Sequence, residues 1–551
     1  MPALAVIVFF VALLPLSASF VSFHADEYPY THTALSLLQS GDVPALQASD
    51  GERRPVQPTL THWMLYGSYK LFGVGLLPSR LPFLLAGAVI IWLAYRMAAM
   101  LLTGRRTALI AATVTATHPL LIMAAIRATP DILFALWLTI SAFGFMRVML
   151  LVRPTFSAQL AAYGGAGLAA ATQHPISVVI LVLVTILFLL FNPWRRVPPF
   201  HAIYPPGLII GFVIGVLGFI VKYAFHPELA FGRWGEAIVQ LWAGFQWQAA
   251  MLYSATTAIA LVLLFTPWIF PAASVWLSHA QEEHADSGHR RRAIIGFIQL
   301  WAVTIILLAS IAGDFSLLFV LTMVPLLALL IAEALSHADP DHPSPWARKI
   351  TYLIVFLVVL FLAGLGMANW YQERDLLALV ELGGLFLAAI AVFLFGRKNL
   401  DASIISLGGA LLLLPMALLL LLRPIIPDQA ALIADKVEQL GLVGSGSVAY
   451  LGPAETATKL RLATGAQLNL REMEQFSATD QSRFVALIYT DLKRPDIDFS
   501  DYEIFPVLAN QRRNLAELPV ESLEKGPLGR EVGGVMGQER QRYFVAVRWE
   551  Q

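Results

Sequence analysis

The chain has 551 residues, of which 58% are hydrophobic and 13% charged. Soluble domains are roughly 25% charged, so the composition excludes an ordinary soluble enzyme as well as a disordered chain. Lys plus Arg and Asp plus Glu balance at 37 each, which leaves no basic footprint for nucleic acid, and the lack of Cys excludes disulfides, thiolate zinc sites and thiol nucleophiles.

The charge is unevenly spread. Residues 1–423 hold 42 charged side chains and residues 424–551 hold 32. That is roughly 10% against roughly 25%, the contrast between a segment in lipid and one in water. The boundary falls at Arg423-Pro424-Ile425-Ile426-Pro427-Asp428, where two prolines discourage helix continuation. The expected fold is therefore a polytopic α-helical membrane domain over 1–423 and a small soluble α/β domain over 424–551.

A span needs about 20 apolar residues. Thirteen segments qualify: 3–23, 78–102, 107–124, 130–152, 158–172, 175–192, 204–225, 249–277, 294–313, 315–335, 350–370, 376–396 and 401–422. The segment 158–172 is short, and Gly164, Gly165 and Gly167 allow a neighbouring helix to approach closely. The first span has no Lys or Arg before it, which favours a retained span over a cleaved signal peptide.

Alternate loops carry Arg105-Arg106, Arg153, Arg195-Arg196, Arg290-Arg291-Arg292, Arg348-Lys349 and Arg397-Lys398. Basic loops face the cytoplasm, so the loops 24–77, 125–129 and 226–248 and the 424–551 domain are expected outside. In that domain Ser447 to Leu451, Phe484 to Tyr489 and Tyr543 to Val547 read as strands, and 454–463 as a helix. It contains no recognisable catalytic motif. His279, His284 and His289, with Glu282, Glu283 and Asp286, lack tight ligand spacing and read as a solvated loop. Trp242 and Trp247 read as interface anchors.

The loop after the first span holds His24-Ala25-Asp26-Glu27-Tyr28. Two carboxylates at a membrane boundary are costly unless solvated, paired or used. The plain structural reading makes Asp26 a helix cap and Glu27 part of the first turn. Further on, Leu60, Met64, Leu65, Tyr69, Leu71 and Phe72 recur at helical spacing, which predicts an interfacial helix over 58–72. A long loop built of short helices is more than a connector.

The ordered set Asp26-Glu27, Tyr30, Ala34, Gly41-Asp42, a Pro-containing motif, Trp63, Phe72-Gly73 and Arg80 resembles the GT-C glycosyltransferases. It is most similar to the branch of the lipid A aminoarabinose transferases and protein O-mannosyltransferases, most densely over 26–135, with about thirteen spans and an external terminal domain in similar members. The resemblance implies transfer of a sugar from a polyprenyl-phosphate donor to an envelope acceptor outside the cytoplasmic membrane. The acceptor class spans lipid A or lipopolysaccharide, another glycan, a lipid or a protein. It implies Asp26 as the base, with Glu27 and Asp131 as further catalytic carboxylates and inversion at the anomeric carbon. Arg127 is expected to face the donor phosphate or to pair with Asp131. Arg80 and His174 are further candidates for the phosphate, and Tyr30, His32 and Trp63 for sugar or acceptor contacts. His32 and His174 add charge only if protonated. Metal dependence stays open, because related enzymes differ, and a divalent metal is compatible with the carboxylates.

Three family cations or donors are changed. Gln57-Pro58 stands for Lys-Pro, Thr172-Gln173-His174-Pro175 for Thr-Lys-Gly-Pro, and Gly313-Asp314 with Leu318 for Gly-Lys and a Tyr. Gln57 keeps hydrogen bonding without charge. Charge-assisted contacts to phosphate are about twice as strong as neutral ones, so Arg53 or Arg54 is expected to replace the missing Lys. Two other functions compete: a non-catalytic polyprenyl-lipid-binding or scaffold relative, favoured by the lost lysines, and a transporter or flippase. The latter is disfavoured because Arg96, Arg147, Glu333 and Glu381 sit near span ends or on possible helix interfaces rather than lining a path.

Overall fold

The computed structural model describes residues 2–19, 26–40, 59–101, 104–150, 155–172, 205–223, 247–273, 288–312, 317–336, 353–361, 383–390, 400–422, 429–477, 479–507 and 542–548, with short pieces at 184, 349, 363–364 and 393–394. The helical part contains α1 (Pro2–Ser17), α2 (Glu27–Ser40), α3 (Leu60–Phe72), α4 (Leu76–Leu101), α5 (Arg105–Ala116), α6 (Pro119–Ala125), α7 (Asp131–Leu150) and α8 (Phe156–Thr172). It continues with α9 (Pro205–Tyr223), α10 (Trp247–Leu264), α11 (Gly288–Ala312), α12 (Leu317–Ser336) and α13 (Leu400–Leu422).

Two described helices are long and apolar enough to cross a membrane, over Leu76–Met100 and Asp131–Val148. The segment 107–124 differs from the straight span expected. It is two helices, α5 and α6, bent by 62°. Pro119 occupies the first turn of α6 and supplies no N–H to continue the ladder, so the chain breaks at Thr117-His118. Counted as one bent span, this pair is the third. Shorter apolar helices occur at Ala5–Ser17, Ile294–Leu307, Val320–Ser336 and Asp401–Ala417. The segments 175–192 and 376–396 lie mostly outside the described residues, so the described helices do not carry the count to thirteen.

One apolar core joins α1, α4, α5, α6, α7, α11, α12 and α13, with Phe9, Phe83, Phe134, Phe297 and Trp301 fully buried. Trp268 enters the same core and donates its indole N–H to Thr117 Oγ1 at 2.8 Å, beside the α5–α6 break. The glycines of α8 do what their size allows. A Cβ at Gly165 would lie 2.7 Å from the Trp137 carbonyl and 2.8 Å from the Ser141 amide of α7. Gly167 meets Gly211 of α9 just as closely, so α8 is wedged between two backbones. At one end of the bundle Arg106 pairs with Asp401 at 2.7 Å and donates to the Ser336 carbonyl at 3.0 Å, tying α5 to α12 and α13.

The C-terminal unit starts with α14 (Gln429–Gln439), then β1 (Ser447–Leu451), α15 (Ala454–Ala463), β2 (Asn469–Glu472), β3 (Ala486–Thr490), β4 (Tyr502–Val507) and β5 (Tyr543–Arg548). Sheet order is β2-β1-β3-β5-β4. β1 runs parallel to β2 and β3, whereas β5 is antiparallel to β3 and β4. Val448, Tyr450, Ala486 and Ile488 face α14 and α15, where Ile433, Val437, Ala457 and Leu460 cover them. The alternate residues Leu451, Leu487 and Tyr489 face Phe476 and Phe484 instead. β3 is buried along its whole length, as a strand covered on both faces must be. Pro506 is tolerated because β4 is an edge strand.

The sheet unit does not stand apart from the bundle. Helix α15 packs on α2, and Leu462 of α15 belongs to the apolar core of the helical part.

Candidate active site

Four elements meet at the end of the bundle opposite Arg106: the end of α1, the start of α2, the first turns of α4 and the turn between α6 and α7. Arg80 holds them together. Its side chain is fully buried and forms a two-pronged pair with Glu27, Nε to Oε2 at 2.9 Å and Nη2 to Oε1 at 2.8 Å. Its remaining nitrogen, Nη1, donates to the carbonyls of Leu16, Ser17 and Ser19 at 3.3, 3.4 and 3.0 Å. Those carbonyls lie at and beyond the C-terminus of α1, where backbone acceptors lack helical partners. Glu27 Oε2 also accepts the Ala128 amide at 2.9 Å. A buried ion pair of this kind is tolerable because the bidentate geometry and extra hydrogen bonds satisfy both charges.

This departs from the roles the sequence suggested. Glu27 is fully buried and bonded to Arg80 and Ala128, so it is not presented to a substrate. Arg80 is likewise enclosed and turned toward Glu27 and α1, so it does not offer a surface cation to a phosphate. The reason is distance in sequence: the two residues lie 53 positions apart and only folding shows that they pair. Together they fix where α2 begins.

Fixing Glu27 sets its neighbour Asp26 at the exposed start of α2. Asp26 lies close enough to Tyr30, Arg127 and Asp131 to act on the charge of each. Asp131 opens α7, where a carboxylate meets the positive end of the helix dipole. It accepts a hydrogen bond from Thr129 Oγ1 at 3.2 Å. Arg127 is half-buried; its amide donates to the Ala124 carbonyl at 3.4 Å, and its guanidinium makes no hydrogen bond or ion pair among the described residues. Of the two expectations for it, a direct pair with Asp131 is thus absent from the structure. Burial pulls the Arg127 pKa down, while Glu27, Asp26 and Asp131 pull it up. A guanidinium titrates so high that it remains a cation here.

Tyr30 is pushed up to about 12, first by burial and then by Asp131 and Asp26, so its phenol stays protonated and able to donate. Its ring lies 5.3 Å from the ring of His62. His32 is pushed down to about 4 by burial and by Arg461 of the sheet unit, which makes it neutral near pH 7. Its ring packs against Tyr28 at 5.5 Å. It therefore supplies no cation. Trp63 is half-buried on α3, set edge-on to Tyr66 at 6.0 Å, and its indole N–H has no partner among the described residues. Arg53, Arg54, Gln57 and His174 lie outside the described residues.

Helix α3 is the interfacial segment expected over 58–72. His62 Nδ1 accepts the Thr59 amide at 2.9 Å and closes its first turn. The Tyr69 hydroxyl lies 2.8 Å from Ser79 Oγ, and Ser68 Oγ donates to the Pro78 carbonyl at 2.6 Å, which docks α3 against the start of α4. Three participants escaped the sequence: the Ala128 amide, Thr129 and Arg461. A backbone donor carries no side-chain signature. Thr129, two residues before Asp131, was the one detectable from spacing. Among the described residues no group of three or more His, Asp and Glu is arranged to hold a metal ion.

The fold joins a helical bundle, short helices after its first helix and a terminal sheet unit. The sequence model of the dolichyl-phosphate-mannose-protein mannosyltransferase family matches residues 56–225. An uncharacterized protein of Aquifex aeolicus is 24% identical over 351 residues, 63% of this chain, and the match spans 65% of that relative's length. The crystal structure of ArnT from Cupriavidus metallidurans bound to undecaprenyl phosphate is 18% identical, with a TM-score of 0.62 over 89% of this chain and 92% of that one. The same protein in the apo state gives 0.60 at 18% identity over 89% and 94%. The likeness to the two ArnT structures shows a shared fold, and the mannosyltransferase family match falls within the stretch that the ordered residues from Asp26 to Arg80 open.

Proposed function

We propose that the chain transfers a sugar from a polyprenyl-phosphate donor to an envelope acceptor on the external side of a bacterial inner membrane. The observation that carries this reading is Arg127: a half-buried cation whose guanidinium has no bonded partner among the described residues and which lies within electrostatic reach of Glu27, Asp26 and Asp131. Such a group is suited to an anion that arrives with the substrate.

The acceptor hydroxyl oxygen attacks the anomeric carbon, and the bond from that carbon to the phosphate oxygen breaks. Asp26 takes the hydroxyl proton, as a positioned carboxylate can. The bonding electrons leave with the polyprenyl phosphate, whose growing charge Arg127 stabilises. A single displacement of this kind inverts the anomeric centre. Asp131 orients Arg127 or the acceptor, and the Tyr30 phenol donates a hydrogen bond to the sugar. Trp63 adds an aromatic wall. Arg53 or Arg54, with Gln57 and His174, complete the phosphate site that the changed lysines would otherwise form.

Binding of undecaprenyl phosphate to the purified full-length protein in nanodiscs tests the phosphate role. Arg127→Gln is expected to weaken it by about 10- to 100-fold, the equivalent of one lost charge-assisted contact. Arg127→Lys is expected to recover part of the loss. Equal affinity for wild type and Arg127→Gln would contradict the assignment.

A further inference from the structure

A doubly wound sheet ordinarily takes a ligand at the carboxyl ends of the strands where the order reverses, here β1 and β3. In this sheet two buried tyrosines lie on β1 and on β5, the neighbour of β3. Tyr450 and Tyr543 are each 1% exposed; the Tyr450 hydroxyl donates to the Pro453 carbonyl at 3.0 Å and the Tyr543 hydroxyl to Thr456 Oγ1 at 3.2 Å. Both bonds end on the start of α15 and anchor it to the sheet.

The other end of α15 faces the turn between α3 and α4. Leu462 is 2% exposed and joins the core of the helical part. The Gly465 turn that follows rests against the Val74-Gly75 turn between α3 and α4. A Cβ at Gly465 would lie 3.6 Å from the Val74 carbonyl, and Gly465 has φ +61°, a conformation that favours glycine. Arg461 is held rigidly, pairing with Glu472 at 2.8 Å and donating to the Leu470 carbonyl at 3.1 Å on β2. Its charge reaches His32, near the middle of α2.

We infer that α15 is a clamp: Leu462 and Arg461 of the sheet unit are positioning residues that hold α2, and with it Asp26, at the working geometry. The inference rests on the transferase reading. Its physical basis is the packing of α15 on α2, the burial of Leu462 in the core that also holds Ala34 and Leu35 of α2, and the anchoring of Arg461 to β2. Buried Glu27 ties the first turn of α2 to the bundle, and α15 packs on the same helix. A base must sit within hydrogen-bond reach of the proton it takes, and a displacement of about 1 Å costs on the order of 100-fold in rate.

Hydrogen exchange of residues 27–40 in the full-length protein tests the clamp directly. Leu462→Ala and Arg461→Gln are each expected to speed exchange there by about tenfold, with β1 and β3 unchanged as the control for folding of the sheet unit. In the same variants undecaprenyl phosphate affinity is expected to stay within about threefold, whereas the glycan product in complemented cells falls by about tenfold. Arg461→Lys, which keeps the charge, is expected to recover much of the product. Unchanged exchange in α2 overturns the clamp. Loosened α2 with undiminished product overturns the positioning role. Wild type that restores no product counts against the transferase reading itself, and α2 exchange still decides whether the clamp exists.

Discussion

Asp26 and Glu27 are adjacent and chemically alike, yet the fold separates them completely. Glu27 is enclosed with Arg80, whereas Asp26 is exposed beside Arg127 and Asp131. Their substitutions are therefore expected to fail in different ways. Asp26→Asn keeps the shape of an exposed side chain, so thermal stability should change by no more than about 0.5 kcal/mol. Transfer should fall by roughly 100- to 10,000-fold with loss of the base we propose. Arg80→Met leaves Glu27 buried without its counter-ion, which costs about 3–5 kcal/mol and should appear as a lower melting temperature and reduced yield. A stable, inactive Arg80→Met protein would contradict this division of roles. The acidic pair was legible from its place just after the first span. Which carboxylate stays exposed was not, because a partner 53 residues away decides it.

Among the elements, those with strong local signals matched the sequence. Helix α15 occupies Ala454–Ala463 and β1 occupies Ser447–Leu451, as periodicity and β-branched content indicated. β2 and β4 were not read. β2 is four residues long with three exposed, and β4 contains Pro506; both are edges that take their form from a neighbour. The α5–α6 break was missed because apolar composition continues through it, although Pro119 was visible. The glycines of α8 make a sharp prediction. Gly165→Leu forces a side chain into the backbone of α7 and should prevent normal assembly, read as loss of folded protein in detergent, whereas Gly67→Ala in α3, where nothing lies within 4 Å, should be accepted. The seam between α2 and α15 should also weaken in acid. The folded-state pKa of His32, about 4, lies below the ordinary 6.5, so between these values the unfolded seam binds a proton that the folded one refuses. Stability is then fully present above about pH 6.5 and declines as pH falls toward about 4. Exchange of α2 against pH should show this decline in wild type and a flatter one in His32→Gln.

At the scale of the whole molecule, the chain has two distinct ends. Arg106 and Asp401 tie the helices at one end, and the Glu27–Arg80 pair organises the other, over which the sheet unit lies. From the alternation of basic loops we propose that the Arg106 end faces the cytoplasm and the candidate site the outside. The acceptor and the sugar depend on surfaces that the motif residues do not encode. The most direct measurement is lipid and glycan mass spectrometry on a deletion strain complemented with wild type or with Asp26→Asn. The account predicts that deletion removes one sugar from an envelope product and accumulates its polyprenyl-phosphate carrier, and that wild type alone restores both. Full restoration by Asp26→Asn, or identical profiles with and without the gene, would contradict it.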